Sequence, residues 1–153
     1  MQHVRFNSRL LFLLATLFAV GWADDARAVG RAEILRAIQA VENPHDTSRP
    51  GKYGELGPYQ FRRSTWRMHT KAPFAEALNR YAAEDVAVRH YEWLKRGLLR
   101  NGVAPTPYMI ALAWNGGLTA AVRGRASASA HDYASRVNNL AQEMNRSRLV
   151  SVE

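Results

Sequence analysis

The chain of 153 residues contains no cysteine. Disulfide bonds therefore cannot stabilise the fold, and packing of side chains must hold it together. The absence also excludes a lipid anchor attached to an N-terminal cysteine.

Motifs of several common enzyme classes are missing as well. There is no H-E-x-x-H pair of metal ligands, no G-x-S-x-G turn around a nucleophilic serine and no glycine-rich loop for phosphates. The histidines His45, His69, His90 and His131 are dispersed, and His90 falls in an apolar stripe where a structural role is commoner. We therefore predict no metal site and no other cofactor.

Long hydrophobic runs are scarce. The apolar segment 10–20 is much shorter than the roughly 20 residues that span a bilayer. Two arginines precede it and small residues follow, which is typical of a secretory signal peptide. We predict a signal peptide at 1–23, cleaved after Ala23 or Ala28, and a periplasmic or secreted protein without stable membrane insertion. An exported chain without cysteine fits a bacterial envelope best.

Positive charge exceeds negative charge, with 21 Lys and Arg against 13 Asp and Glu and a net charge of +8. Removing 1–23 takes away Arg5 and Arg9 and leaves about +6. The anionic partners that such a protein meets in a bacterial envelope are cell-wall polymers and lipid headgroups. The basic residues are scattered rather than clustered, so we predict no nucleic-acid binding.

The remaining chain is predominantly helical in pattern. Apolar residues recur at helical spacing in several segments, whereas 43–58 is rich in Pro, Gly, Asp and Asn and predicts a long irregular loop. We predict a mainly α fold of α+β character, with five or six helices in one domain at 29–146. At most a small irregular hairpin follows the first helix, and a frayed tail occupies 147–153. The predicted helical segments are 31–42, 64–70, 74–78, a long helix ending at Asn101-Gly102, 108–114, 118–122 and a last helix that begins at a Ser129–Asp132 capping box.

Glu42 stands at the end of the first helix, on the edge of its apolar stripe. It follows Ile38 by four residues, and Pro44 forces the helix to end at about Glu42. Desolvation and the negative end of the helix dipole both raise the pKa of a carboxyl group there, to roughly 6–7. That value suits a general acid, although the same residue could also turn into solvent as an ordinary surface charge.

Four segments in order resemble the lytic transglycosylases, which are cell-wall muramidases with an SLT-type domain and a lysozyme-like fold. The resemblance covers about 32–140. In that family a glutamate ends the first helix, a glycine-containing segment ending in Gln comes next, then an Ala-Tyr-Asn-x-Gly turn, then a tyrosine near the C-terminus. The matching segments here are Val41-Glu42-Asn43, Gly54-Glu55-Leu56-Gly57-Pro58-Tyr59-Gln60, Leu112-Ala113-Trp114-Asn115-Gly116-Gly117 and Asp132-Tyr133-Ala134-Ser135-Arg136-Val137.

The resemblance implies a role for each matching residue. Glu42 takes the place of the single catalytic acid and base, and Tyr133 that of the tyrosine that orients its carboxyl group. The predicted substrate-binding residues are Tyr59, Gln60, Trp114, Asn115 and Tyr133 itself. Three positions depart from the family pattern: Asn43 replaces serine, Pro58-Tyr59 replaces Leu-Met, and Trp114 replaces a tyrosine.

The implied activity is cleavage of the β-1,4 bond between N-acetylmuramic acid and N-acetylglucosamine in peptidoglycan strands, with formation of 1,6-anhydro ends. Such an enzyme is a glycan-cleaving lyase, and it could serve wall remodelling or a cell-envelope secretion apparatus. A hydrolytic lysozyme is the nearest alternative; it needs a second carboxylate, for which Glu55 and Asp46 are the candidates. The other alternative is a non-catalytic protein that binds peptidoglycan.

Overall fold

The computed structural model describes residues 28–151. The predicted signal peptide at 1–23 and the last two residues of the predicted tail lie outside this range. Within it, six α-helices and one 3₁₀ helix confirm the predicted mainly α fold. Their bounds are α1 Arg31–Glu42, α2 Arg63–His69, the 3₁₀ helix Phe74–Leu78, α3 Arg80–Arg100, α4 Pro107–Gly116, α5 Leu118–Val122 and α6 Ala128–Val150.

No helix between residues 28 and 151 combines the length and the apolar character that crossing a membrane requires.

The loop between α1 and α2 carries the only β feature of the described residues. Leu56 and Phe61 form a single antiparallel bridge, in which each amide donates to the other residue's carbonyl at 3.0 Å. The turn between them contains Gly57 at φ +77°, where a Cβ atom would lie 1.8 Å from the carbonyl oxygen of Ala77. Only glycine fits there, and the α+β character expected from the sequence amounts to this one bridge.

The core is centred on α4, which packs against α1, α3, α5 and α6. Its residues Ile110–Ala113 are buried, because the helix is apolar nearly all round. Small side chains let α4 and α6 approach closely: a Cβ atom placed on Gly116 would lie 3.2 Å from the Cβ of Ala130. Large apolar residues on both helices, such as Ile110 and Val137, are completely buried, each contributing about 1.5–3 kcal/mol to stability.

Side-chain caps fix where the helices begin. Thr106 caps α4 through the amide of Met109, at 3.2 Å, as its position before Pro107 predicts. The predicted capping box at Ser129 is wrong. Ser127 caps α6 instead, because its Oγ accepts from the amide of Ala130 at 3.3 Å.

Tertiary contacts decide one ion pair of α3 and the end of α6. Asp85 and Arg89 pair along α3 at 2.6 Å, but Glu92 pairs with Arg31 at 2.7 Å rather than with the residue one turn along its own helix. The N-terminus of α1 lies beside α3 and supplies that partner. Helix α6 also continues through Val150, into the segment that was predicted to fray. Arg148 contacts the buried Glu33 at 3.1 Å, and this ion pair holds the end of α6 against α1.

Candidate active site

A cleft of about 610 Å³ opens between the loop after α1, the start of α2 and the C-terminal end of α4. Six of the predicted site residues line it: Glu42, Glu55, Tyr59, Gln60, Trp114 and Asn115. Tyr133 reaches Glu42 from α6 through a hydrogen bond. Asp46 is exposed in the loop and does not line the cleft. The fold therefore brings together residues that are up to 91 positions apart.

Glu42 is the last residue of α1, as the sequence predicted. Asn43 has left the helical region at φ −141°, ψ 68°, as expected for a residue before proline. Burial raises the pKa of the Glu42 carboxyl group from 4.5 to about 7; the negative charge of Glu55 adds to this rise, while the Tyr133 hydroxyl opposes it. The predicted rise in pKa is confirmed, with desolvation as its main cause.

Tyr133 lies on α6 with only 4% of its surface exposed. Its hydroxyl donates a hydrogen bond of 2.9 Å to Oε1 of Glu42. Burial and the neighbouring Glu42 charge raise the pKa of Tyr133 well above its ordinary value, so the phenol keeps its proton. Tyr133 therefore fixes the orientation of the carboxyl group and stabilises its ionised form.

Glu55 is the second carboxylate of the cleft, and both of its oxygens are engaged. Oε2 accepts from the amide of Tyr53 at 2.8 Å, and Oε1 accepts from Nε of Arg62 at 3.2 Å. Burial opposes ionisation of Glu55, but these hydrogen bonds outweigh it and lower its pKa below the ordinary value. The cleft thus holds a carboxyl group that titrates near neutral pH and another that stays ionised.

Asn43 occupies the position at which the resembled family has serine. Its side-chain amide accepts from the amide of Thr47 and donates to the carbonyl of Thr47, each at 2.9 Å. These two bonds close the loop directly after Glu42. The same chain segment therefore ends the helix and fixes the direction in which the cleft loop leaves it.

Tyr59, predicted to bind substrate, is mainly a core residue. Only 1% of it is exposed, and its hydroxyl donates to Oε2 of Glu84 on α3 at 2.9 Å. Its ring packs against Trp114, whose ring centroid lies 6.1 Å away. Trp114 in turn contacts Phe61 and His90, so an aromatic cluster forms the floor of the cleft.

Gln60 and Asn115 differ in how much of each faces the cleft. Gln60 sits at φ +44° and donates from Nε2 to the carbonyl of Gly57 at 2.9 Å. One N–H donor of the Gln60 side chain is therefore already used within the loop. Asn115, in contrast, is exposed at the end of α4, where Gly117 ends the helix at φ +87°.

His90 is buried in the core stripe, as predicted, but it also lines the cleft floor. Its Nδ1 lies 2.9 Å from Nε2 of His69, and its ring stacks on Trp93 at 5.8 Å. Burial and the nearby His69 lower the pKa of His90 to about 3. The ring is therefore neutral at physiological pH and serves as a polar element in an aromatic floor.

The cleft residues that were not singled out in the sequence include Lys52, Tyr53 and Arg62. They lie in or just after the irregular loop, where no periodic pattern marks which side chains turn inward. The only signal was the length of that loop, because long loops in compact domains are usually functional.

A partly buried acid with a pKa near neutrality, held by a tyrosine at the edge of an open cleft, can both donate and accept a proton during catalysis. Within residues 28–151, no three His, Asp or Glu side chains cluster closely enough to hold a metal ion. Comparison of the chain with protein-family models, with curated proteins and with solved structures gave no significant match.

Proposed function

We propose that this protein is a peptidoglycan lytic transglycosylase of the lysozyme-like superfamily. The observation that carries the proposal is Glu42, a partly buried acid with a pKa of about 7 at the cleft, hydrogen-bonded by Tyr133. An acid that must donate a proton and then accept one works best when its pKa lies near the working pH. The order of the four resembled segments along the sequence supplies the second support.

In the first step Glu42, protonated, donates its proton to the oxygen of the β-1,4 bond as the bond to C1 of N-acetylmuramic acid breaks. The positive charge that develops at C1 is stabilised by the carbonyl oxygen of the sugar's own N-acetyl group, as in substrate-assisted glycosidases. Glu42 is left as a carboxylate. The Tyr133 hydroxyl, at 2.9 Å, stabilises that charge.

In the second step the Glu42 carboxylate takes the proton of the C6 hydroxyl on the same muramic acid. The C6 oxygen then bonds to C1, the carbonyl oxygen of the N-acetyl group withdraws from C1 while that group stays on C2, and a 1,6-anhydro ring closes. Glu42 ends protonated, as it began. No water is consumed, so one carboxyl group serves both steps.

The hydrolytic lysozyme is the rival reaction, and Glu55 is the residue that favours it. An ionised carboxylate beside a protonated one is the arrangement that a two-carboxylate glycosidase uses. Both Glu55 oxygens, however, already accept hydrogen bonds from Tyr53 and Arg62. A carboxylate whose oxygens both accept hydrogen bonds is poorly placed to attack C1 or to activate water. We therefore assign Glu55 a structural role, in which it stabilises the loop between α1 and α2.

The cellular setting of the proposal follows from the sequence. A protein exported by the segment at 1–23 would meet peptidoglycan strands in the periplasm or outside the cell. Opening of the wall for an envelope secretion apparatus and general wall remodelling are both uses of this reaction.

The test is digestion of purified peptidoglycan sacculi, followed by mass spectrometry of the released fragments. We expect 1,6-anhydro muropeptides, which are one water lighter than hydrolysis products. Glu42→Gln should lower the rate by at least about 10²–10⁴, whereas Glu55→Gln should still give anhydro ends. Reducing ends would assign the hydrolase. Binding to sacculi without any released product would assign a non-catalytic binding protein.

A further inference from the structure

The lip of the cleft carries an exposed tyrosine between two cations. Tyr53 is 71% exposed, which is unusual for so large a side chain. Lys52 Nζ and the Arg62 guanidinium each lie 5.4 Å from the centroid of its ring. Cation–π attraction of this kind restrains both long side chains against one ring.

The backbone that carries Tyr53 is closed on itself by hydrogen bonds. The amide of Gly51 donates to the carbonyl of Glu55 at 2.9 Å, and the amide of Gly54 donates to the carbonyl of Gly51 at 3.0 Å. The Glu55 carboxylate adds the bond to the amide of Tyr53 and the ion pair with Arg62. The two cations are therefore presented by an ordered loop.

The positive charge of this surface is only partly neutralised, because Glu55 pairs with Arg62 but not with Lys52. Arg62 uses Nε for Glu55, which leaves its two terminal nitrogens as donors. Lys52 has no carboxylate within 4 Å among residues 28–151. Both residues line the same cleft as Glu42, so an anionic group on a bound glycan would meet the Lys52 ammonium and the terminal nitrogens of Arg62 there.

We propose that Lys52, Tyr53 and Arg62 form a subsite for a carboxylate that muramic acid carries on its 3-oxygen. This inference rests on the proposed function, since it names the part of the wall glycan that the site selects. The carboxylate belongs either to the lactyl group itself or to the stem peptide attached to it. A neutral polymer of N-acetylglucosamine lacks both, so the subsite discriminates muramic-acid strands from chitin-type strands.

The experiment measures binding by Glu42→Gln protein, which holds glycan without cutting it. Three soluble probes are compared: glycan strands with stem peptides, the same strands stripped by an amidase so that only lactyl carboxylates remain, and neutral chito-oligosaccharides. Lys52→Gln is added to this background. Lys71→Gln is the matched control, because it removes the same charge from an exposed position outside the cleft.

We expect Lys52→Gln to weaken binding of the carboxylate-bearing strands about three- to tenfold and to leave chito-oligosaccharide binding unchanged. The difference should shrink at high salt, and Lys71→Gln should show none of it. A loss on stripped strands assigns the lactyl carboxylate, which is free only after the amidase cut. A loss confined to intact strands, whose lactyl groups are amidated, assigns the stem peptide. Thermal unfolding at the parent temperature verifies the fold of each variant.

Equal binding of all three probes by the parent and the Lys52 variant would overturn the subsite. If the active protein still released anhydro products, the proposed function would survive that result. If the protein bound a subsite ligand yet cut nothing, the proposed function would fail and the subsite would stand. Absence of binding to any probe would overturn both.

Discussion

Replacing Glu42 with glutamine should stabilise the folded protein at pH 8. The carboxyl group has a pKa of 4.5 in the unfolded chain and about 7 in the fold. Above pH 7 the folded state must therefore hold a charge that burial disfavours. At about 1.4 kcal/mol per pH unit, this difference amounts to about 3 kcal/mol. Glutamine has no charge, and its carbonyl oxygen keeps an acceptor for the Tyr133 hydroxyl.

The sign follows from proton linkage. Below pH 4.5 both states are protonated, and Glu42 contributes no pH dependence. Between 4.5 and 7 the folded state binds the proton more tightly than the unfolded state, so the stability that this proton provides is lost as the pH rises. The Glu42→Gln variant does not lose this stability, because glutamine does not titrate. Its advantage should grow from nearly zero at pH 4 to its maximum above pH 7.

Urea denaturation and thermal unfolding at pH 4, 6 and 8 measure the effect, which is on the order of 10 °C at pH 8 for a domain of this size. Glu55→Gln provides a control of opposite sign. Because the pKa of Glu55 is lowered in the fold, its ionised form stabilises the protein at neutral pH and loses that effect at low pH. An advantage of Glu42→Gln that is absent at pH 8, or equal at pH 4 and pH 8, would refute burial as the cause of the raised pKa.

Two other predictions use single substitutions with internal controls. Tyr133→Phe removes the hydrogen-bond donor to Glu42. The pKa of Glu42 should rise further, and the alkaline limb of the pH–rate profile should therefore move to higher pH. An unchanged profile would contradict the role of the hydroxyl. Gly57→Ala, which drives a Cβ atom into the carbonyl of Ala77, should cost at least about 2 kcal/mol of unfolding free energy. Gly54→Ala also has a positive φ but meets nothing within 4 Å and should cost only about 1 kcal/mol; equal costs by urea denaturation would show that strain alone, without the clash, decides both.

Local signals in the sequence were reliable where a few neighbouring residues determine the structure. Pro44 ends α1 at Glu42, and Thr106-Pro107 begins α4. These depend on backbone sterics and capping within one turn. The start of α6 was placed two residues late, because Ser127 and Ser129 are both suitable caps and only the packed helix selects between them.

The partners of charged and polar side chains could not be read from the sequence. Glu92 bonds to Arg31, 61 residues away, although a basic residue stands one turn along its own helix. Tyr59 faces Glu84 rather than open solvent. Glu55 was a candidate for chemistry, but its neighbours Tyr53 and Arg62 occupy both oxygens. Each of these choices depends on which elements pack together.

The sequence by itself determined the helices, the irregular loop between α1 and α2 and the position of Glu42 at the end of a buried stripe, because these follow from periodicity and local sterics. Only the tertiary structure decided how strongly Glu42 is desolvated, how Tyr133 reaches it and where the loop cations lie. Desolvation and hydrogen bonding depend on atoms from distant parts of the chain, and Tyr133 is 91 residues from the carboxyl group that it holds.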